Sequence, residues 1–418
     1  MLPDGTPCVR NGATAATLQA DGKVLLASEC GVEDLYWHPY MNLFRVNADG
    51  TLDTSFAGTG NLKLAMRRLG AGNDSLRYSP SAVTTTPDGK IAVLFSYQPT
   101  HYSDPFSYAL VRLQLDGTPD PTLGGNGIVF FGQNEYSKLA VQQDGKLIVT
   151  GTRDKEAVVA RLNVDGSFDT SFGSNGQMHF DAPQLEYGTS GSYTRIADIA
   201  VQPDGKVLVA GHLSSATSLY SYDALVARVT VNGRLDASFG ENGIVATDIA
   251  GGTDEARSIA LQKDGRIVVS GSATVQEPGD AGARVRKTVV LRYRRNGSLD
   301  MSWNCSGYAL YDAGTHADSA IDRSGRILLG GYTSSAPWDL LTVRLRGTRV
   351  AHATEITESA ESEGDAPNVD VAPTAEAAQG GCATSGMPSN AKDALVPLLL
   401  AAGAIIGHRR RRRGMSPC

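Results

Sequence analysis

The sequence predicts an all-β fold, a β-propeller of four-stranded blades in which six blades are visible. A pair of phrases recurs about every 60 residues, and each unit holds four short, β-branched segments. No segment has the apolar period of an amphipathic helix. Segments such as KLIVTG are apolar on both faces, so each small sheet must be covered on both sides. Sheets stacked face to face around an axis meet that need, whereas a right-handed β-helix usually repeats with shorter coils.

The first phrase is a β-hairpin with a DGK-type turn, as in AVQPDGKVLVAG. Aspartate followed by glycine favours a tight turn, because glycine tolerates the positive φ that such turns require. Six copies are present, and they are centred on Gly22, Gly89, Gly145, Gly205, Gly265 and Gly325.

The second phrase, as in ARLNVDGSFDTSF, follows each of the first five copies. The two phrases alternate to residue 346, which predicts a propeller over residues 13–347. Residues 1–12 read as a partial repeat, 348–381 as a disordered acidic linker and 382–418 as a sorting or anchor segment with a short hydrophobic helix.

This alternation of LQPDGKILVAG-like and RLNxDGSLDTSFGxxG-like phrases resembles the delta-60 repeat, a DUF5122-like bacterial family of β-propeller units. The resemblance covers about 80% of the chain, and both phrases recur in order. It implies a fold and no activity, since the family brings no assigned catalytic residues.

An arginine and an aspartate recur eight residues apart in the second phrase. With a three-residue loop ending on Gly166, Arg161 faces Asp169 across a strand pair, where opposed charges contribute about 0.2–1 kcal/mol. We therefore interpret the pairs as structural ties within each blade. The pairs are Arg45 and Asp53, Arg112 and Asp120, Arg161 and Asp169, Arg228 and Asp236, and Arg292 and Asp300.

The alternative for the same stretch is a calcium loop, because Asn163, Asp165 and Asp169 have a related spacing. Other copies lose those ligands, so no metal and no cofactor is expected. A large apolar residue follows each pair and is expected to plug the gap between blades. Gly173 and Gly176 are expected to allow a tight crossing to the next blade.

Connections of uneven length and content are predicted to gather at one end of the propeller, where recognition usually lies. Aromatic residues are frequent in them and suit a glycan or a protein surface as partner. The candidate ligand-binding residues are Tyr36, Trp37, Tyr102, Tyr187, Tyr193, Tyr220, Tyr222 and Trp338.

Catalysis is not expected, since the seven histidines are scattered and no GxSxG, HExxH or paired-carboxylate motif is present. The main hypothesis is a monomeric binding or adhesion module. The alternatives are a hydrolase or lyase with a cryptic site in the central channel, and a purely structural scaffold. A balance of 38 basic to 44 acidic residues predicts no binding to nucleic acid.

The C-terminal segment joins GGCATSG, an apolar run of 14 residues and RRRRR. It resembles the MYXO-CTERM class of bacterial surface-sorting signals, with Cys382 at the position of the motif cysteine. The resemblance implies processing by a sorting protease and anchoring to the membrane through Cys382, although GMSPC after the arginines departs from the pattern. A weak membrane anchor is the alternative, because the apolar run is shorter than the ~17–25 residues that span a bilayer.

Localisation at the cell surface or outside the cell is therefore expected. The N-terminal residues MLPDGTPCVRNGATAATLQ contain no apolar stretch of the kind that directs export. They resemble the inside of a repeat, which allows two interpretations: the fragment closes the ring as the missing partner of Arg344, or the natural start lies upstream. We expect the upstream start, because Cys8 stands where the aspartate of a tie is expected, and a seventh blade could then be completed.

Overall fold

The computed structural model describes residues 13–30, 40–64, 78–98, 105–133, 135–181, 193–214, 222–249, 251–276, 284–311, 318–322, 324–332 and 340–345. Every regular element within these ranges is a β-strand, and the strands form six antiparallel sheets. The predicted all-β propeller is confirmed. The predicted linker, C-terminal helix, tail cysteine Cys382 and partial N-terminal repeat lie outside the described residues. The described ranges contain no helix that is long and apolar enough to cross a membrane.

The strands follow one another outward in each blade. Blade one holds β1 (Ala13–Leu18), β2 (Val24–Cys30), β3 (Tyr40–Val46) and β4 (Asn61–Leu64). Blade two holds β5 (Tyr78–Thr85), β6 (Ile91–Tyr97), β7 (Ser107–Leu113) and β8 (Ile128–Gly132). Blade three holds β9 (Glu135–Val141), β10 (Leu147–Arg153), β11 (Glu156–Leu162) and β12 (Gln177–Phe180). Blade four holds β13 (Thr194–Val201), β14 (Val207–Ser214), β15 (Tyr222–Val229) and β16 (Ile244–Thr247). Blade five holds β17 (Asp254–Leu261), β18 (Ile267–Gln276), β19 (Arg284–Tyr293) and β20 (Tyr308–Tyr311). Blade six holds β21 (Asp318–Ile321), β22 (Ile327–Tyr332) and β23 (Leu340–Leu345).

The first strand of each blade lies at the axis. β5 contacts β1 and β9, β13 contacts β9 and β17, and β17 contacts β21. The DGK turns and the connections between third and fourth strands share one end of the propeller, which we call the turn end. The connections between second and third strands, and those between blades, share the other end, which we call the loop end.

The blade boundary differs from the prediction in one respect. The segment after DTSFG does not begin a new blade, because β12 pairs with β11 of the same sheet. Arg161 N donates to the carbonyl of Gly176 at 2.9 Å, which turns the segment back onto its own strand. The prediction that Gly173 and Gly176 cross to the next blade is therefore wrong, although both have positive φ.

The hydrophobic core is divided into layers between neighbouring blades. One layer joins Leu25 and Leu43 of blade one to Val93 and Val111 of blade two, and the same arrangement continues to blade six. Each sheet buries apolar side chains on both faces for this reason. Burial of a leucine or valine stabilises the fold by about 1.5–3 kcal/mol, so these layers supply the main force that stacks the blades.

The first strands of blades one to five each carry a β-bulge. In blade five, Ala256 pairs with Gly271 and Ser258 with Ser270, so Arg257 is the extra residue. A Cβ on Gly271 would lie 1.8 Å from the carbonyl oxygen of Glu255, which explains why glycine stands opposite the bulge. A bulge re-aims the side chains that follow it, and bulges are frequent beside functional sites.

Candidate active site

The recurrent Arg–Asp pairs form buried ties. Arg161 Nε donates to Asp169 Oδ2 at 2.8 Å, and both side chains are less than a tenth exposed. Arg161 also donates to the carbonyl of Val231 in the next blade at 2.7 Å, and its guanidinium lies 4.7 Å from the centre of the Phe172 ring. The corresponding distances are 2.6 Å for Arg45 and Asp53, 2.6 Å for Arg112 and Asp120, 2.8 Å for Arg228 and Asp236, and 2.8 Å for Arg292 and Asp300.

The DGK turn supplies a third member to each tie, which the sequence reasoning missed. Lys146 Nζ donates to Asp169 Oδ2 at 2.8 Å, and Ser171 donates to Oδ1 from both its backbone and its hydroxyl. Burial raises the pKa of Asp169, but the hydrogen bonds from Lys146 and Ser171 outweigh it and hold the pKa well below its ordinary value. Because these carboxylate oxygens are occupied, the pairs join the two phrases of one blade and offer little to a ligand.

A second set of polar residues occupies the axis. Seven residues before each turn glycine stand Lys138 in blade three, Asp198 in blade four, Ser258 in blade five and Asp318 in blade six. Lys138, Asp198 and Ser258 directly follow the bulge residue of their inner strand, and Asp318 is the first residue of β21. We call Lys138, Asp198, Ser258 and Asp318 the axial cluster.

Electrostatics show that this cluster converges. The charge of Lys138 acts on both Asp198 and Asp318, and the charge of Asp318 also acts on Asp198. Blades three and six are three positions apart in a ring of six, so their side chains can interact only by reaching the axis. The same position holds Ala15 and Ala82 in blades one and two, and neither has an ionisable side chain.

Asp198 is held in a defined orientation. Its Oδ1 accepts a hydrogen bond from Ile199 N and its Oδ2 accepts one from Ile259 N of blade five, both at 2.8 Å. Ser258 repeats this contact one blade further, since its Oγ accepts from Ser319 N at 3.1 Å. The cluster is therefore built into the contacts between inner strands.

The two axial carboxyl groups have raised pKa values. Burial raises the pKa of Asp198, and the charge of Asp318 adds to this, while Lys138 and the two backbone donors oppose it. Burial also raises the pKa of Asp318, with Lys138 and Arg257 opposing it. Carboxyl pairs with shifted pKa values beside a cation are typical of sites for proton transfer.

The mouth of the channel at the loop end carries a second group of side chains. The rings of Tyr193 and Tyr222 flank His212, with centroids 5.9 Å and 5.0 Å from its imidazole. Burial, together with smaller contributions from nearby arginines, lowers the pKa of His212 to about 4, although Glu255 opposes this. His212 is therefore neutral at pH 7 and acts as a polar ring between two tyrosines.

Two of the eight candidate ligand-binding residues are among those described. The structure brings Tyr193 and Tyr222 together, with ring centroids 6.2 Å apart, at the first strand and the third strand of blade four. The other six lie outside the described residues, and they are Tyr36, Trp37, Tyr102, Tyr187, Tyr220 and Trp338.

An open cavity of about 500 Å³ lies elsewhere, at the turn end between blades three and four. Ser171, Gly173, Thr230, Asn232, Arg234 and Leu235 line it. It contains no carboxyl group and no histidine, so the axial cluster is the stronger candidate for chemistry.

The axial residues were missed because no linear motif contains them. The signal that could have found them is an alignment of the six copies on the turn glycine. At the position seven residues earlier, Ala, Ala, Lys, Asp, Ser and Asp follow one another, while the neighbouring apolar positions scarcely change. Unequal polar residues at one place in an otherwise regular repeat indicate a local role that the fold alone does not require.

Comparison with known families agrees with the repeat. The family model described as "Domain of unknown function (DUF5122) beta-propeller" matches residues 19–56, 86–123, 142–172, 202–239 and 262–302. The model matches five separate segments of the chain. Each matched segment begins near a DGK-type turn and ends close to the aspartate of the tie, so it contains the turn cation, the arginine and the aspartate. No curated protein matches the chain.

Solved structures with the same fold include enzymes. A polysaccharide lyase, Uly1, is 11% identical with a TM-score of 0.47, and the match covers 85% of this chain and 83% of that one. The α-L-arabinofuranosidase Arb93A from Fusarium graminearum, in complex with an iminosugar inhibitor, is 13% identical with a TM-score of 0.48, over 83% and 96% of the two chains. A protein of unknown function from Dyadobacter fermentans is 14% identical with a TM-score of 0.41, over 66% and 80%.

These comparisons contradict the prediction that the protein is not an enzyme. That prediction rested on the lack of a linear motif, yet propellers with catalytic activity are among the structures that share the fold. A propeller can collect single residues from several blades at its axis, so a missing motif does not exclude catalysis. At these identities the likeness concerns the fold alone and assigns no reaction.

Proposed function

We propose that this protein is an enzyme that cleaves glycosidic bonds by acid–base catalysis, with the axial cluster as its active site. The proposal is supported by the placement of Asp198 and Asp318 at the same axial position of different blades, where the charge of Lys138 acts on both and burial raises both pKa values. Paired carboxyl groups are the usual catalytic apparatus for breaking such bonds.

The two carboxyl groups have different surroundings and so different roles. Burial is the main cause of the raised pKa of both groups. At Asp198 the backbone donors of Ile199 and Ile259 oppose burial and favour the ionised form, so we assign Asp198 as the base and Asp318 as the acid. Lys138 offsets the negative charge that the pair carries.

In hydrolysis, Asp318 donates its proton to the glycosidic oxygen as that bond breaks. Asp198 accepts a proton from the water whose oxygen bonds to the anomeric carbon. In a β-elimination the same base removes a carbon-bound proton and the same acid protonates the leaving oxygen. The products differ, since only elimination leaves a carbon–carbon double bond.

The experiment is a screen of the purified full chain against polysaccharides, read by new reducing ends and by the ultraviolet absorbance of unsaturated products. Asp318→Asn is expected to lower kcat by about 10²–10⁴-fold. Asp144→Asn, at an exposed DGK turn, is the matched control and should keep full activity. Thermal unfolding of all variants shows whether they are folded. Full activity in folded Asp318→Asn, or no activity of the wild type on any polysaccharide, would refute the proposal.

We also propose, from the tail resemblance in the sequence, that the enzyme is held at the cell surface through Cys382. A surface location suits an enzyme that acts on polysaccharides too large to enter a cell. Cell fractionation of the producing bacterium tests this, with Cys382→Ala expected to release the protein from the surface. A Cys382→Ala protein that stays at the surface would contradict the anchoring role.

A further inference from the structure

We propose that the glycan is anionic and that its carboxylate or sulfate groups bind Arg195, Arg257 and Arg286 at the channel mouth. This inference rests on the proposed function, because it names the substrate class of the same site. We call these three side chains the mouth arginines.

Two arginines share one carboxylate at the channel mouth. Glu255 Oε2 accepts hydrogen bonds from Arg257 and Arg286, each at 2.7 Å, so one carboxylate serves two guanidinium groups. Arg195 is exposed, and its charge acts on His212 together with those of the other two arginines. The charges of three arginines and one glutamate thus act on His212, which is itself neutral.

The mouth arginines are placed differently from the arginines of the ties. The side chains of Arg257 and Arg286 are 32% and 40% exposed, whereas that of Arg161 is 9% exposed. Both side chains are therefore partly open to solvent, and a guanidinium group can bind a carboxylate or sulfate with two parallel hydrogen bonds. Arg286 is steadied by a further hydrogen bond to Ser272 Oγ at 2.7 Å.

Arg257 links the mouth to the axial cluster. It is the extra residue of the blade-five bulge and directly precedes Ser258 of the cluster. Its charge acts on both His212 and Asp318. An anionic group on Arg257 would therefore place the neighbouring glycosidic bond close to the acid.

The other copies show that this placement is particular to blade five. The bulge residues of blades one to four are Thr14, Ser81, Ser137 and Ala197. Small residues satisfy the bulge there, and Thr14 and Ser81 donate back to carbonyls of their own sheet. The bulge therefore does not require an arginine, and we attribute the choice of Arg257 in blade five to binding of a ligand.

The rings beside His212 complete the site. Tyr193 and Tyr222 offer apolar faces with hydroxyl groups, which suit the alternating apolar and polar faces of a sugar ring. A cationic group next to such rings selects a charged sugar over a neutral one.

The test compares matched polysaccharides with the full chain by calorimetric titration and by turnover. The probes are polygalacturonate, its methyl-esterified form, chondroitin sulfate and dextran. We expect polygalacturonate or chondroitin sulfate to bind at least tenfold more tightly than its neutral counterpart. The two anionic arms separate recognition of carboxylate from recognition of sulfate. Added salt should weaken the anionic binding, as it does for exposed charges.

The variants separate recognition from folding and from catalysis. Arg257→Gln with Arg286→Gln should lower the anionic affinity at least tenfold and leave dextran binding unchanged, and Arg286→Lys should restore part of it. Arg153→Gln, an exposed arginine in the β10–β11 turn, is the matched control and should change affinity less than twofold. Equal affinity for anionic and neutral polysaccharides, or anionic binding that survives the double variant, would overturn the inference. If Asp318→Asn binds the anionic polysaccharide as tightly as the wild type does, and neither protein cleaves that polysaccharide, the catalytic proposal fails and the recognition proposal stands.

Discussion

Replacing Asp169 with alanine would leave the guanidinium of Arg161 buried without its carboxylate. The two side chains are 8% and 9% exposed and 2.8 Å apart. Removing one partner of a buried ion pair costs about 3–5 kcal/mol, because the other charge stays out of water. Lys146 is 30% exposed and can turn to solvent, so its lost contact adds little. We therefore expect Asp169→Ala to lower the free energy of unfolding by about 3–5 kcal/mol.

The assay is urea unfolding of the full chain at pH 7, followed by circular dichroism. Asp165→Ala is the control, since Asp165 is exposed and only accepts hydrogen bonds from Ser167 in its own turn, worth about 1 kcal/mol. Arg161→Met with Asp169→Leu removes both charges and should be closer to the wild type than Asp169→Ala is. If Asp169→Ala costs no more than Asp165→Ala, the tie is not the structural element that we describe.

The pH dependence of this effect has a definite sign. The pKa of Asp169 is depressed in the folded state, so its contribution is complete above the ordinary aspartate range. It is lost as the pH falls through that range toward the folded pKa. The difference between wild type and Asp169→Ala should therefore stay constant near neutral pH and shrink only below about pH 4.

Three further predictions concern packing, the inner strand and a buried acid. Phe172→Ala should cost about 3–5 kcal/mol, against less than about 1 for Val164→Ala, which is 45% exposed, as measured by urea unfolding. Gly211→Ala should lower the free energy of unfolding by about 3 kcal/mol or more, because its Cβ would lie 1.8 Å from a carbonyl oxygen. Gly205→Ala should lower it by only about 1–2 kcal/mol, through the strain of its positive φ. Equal losses of stability in the two variants would contradict the bulge geometry. Burial raises the pKa of Asp254 to about 6. Its ionisation therefore destabilises the fold at pH values above the pKa of aspartate in the unfolded chain. Asp254→Asn should raise the free energy of unfolding by up to about 3 kcal/mol at pH 7 and leave it unchanged near pH 3. A variant whose unfolding follows the wild type across that range would show that Asp254 does not titrate in this way.

Contacts could be predicted from the sequence where the two residues are close along the chain and were missed where they are far apart. The turn glycines, the hairpin register and the facing of Arg161 and Asp169 could be predicted, since the two residues are eight apart and one turn brings them together. The partner Lys146 was missed, because it lies 23 residues before Asp169, across the blade.

The blade boundary could not be read from the repeat alone. β12 is a short strand with one polar face. The repeat of about 60 residues is the same whether β12 pairs with the strand before it or with the strand after it. The hydrogen bond from Arg161 N to Gly176 decides for the preceding strand. Only the paired backbone, and not the periodicity, contains that information.

What the sequence determined by itself is the repeating unit, since short-range turn chemistry and alternating apolar residues specify each hairpin locally. What only the tertiary structure decided is the candidate active site. Lys138, Asp198 and Asp318 are separated by 60 and 120 residues along the chain, and no local interaction relates them. They meet because the blades stack through apolar faces around one axis, which brings the same position of different copies to a common centre. The chemistry therefore depends on differences between copies, while the fold depends on what the copies share.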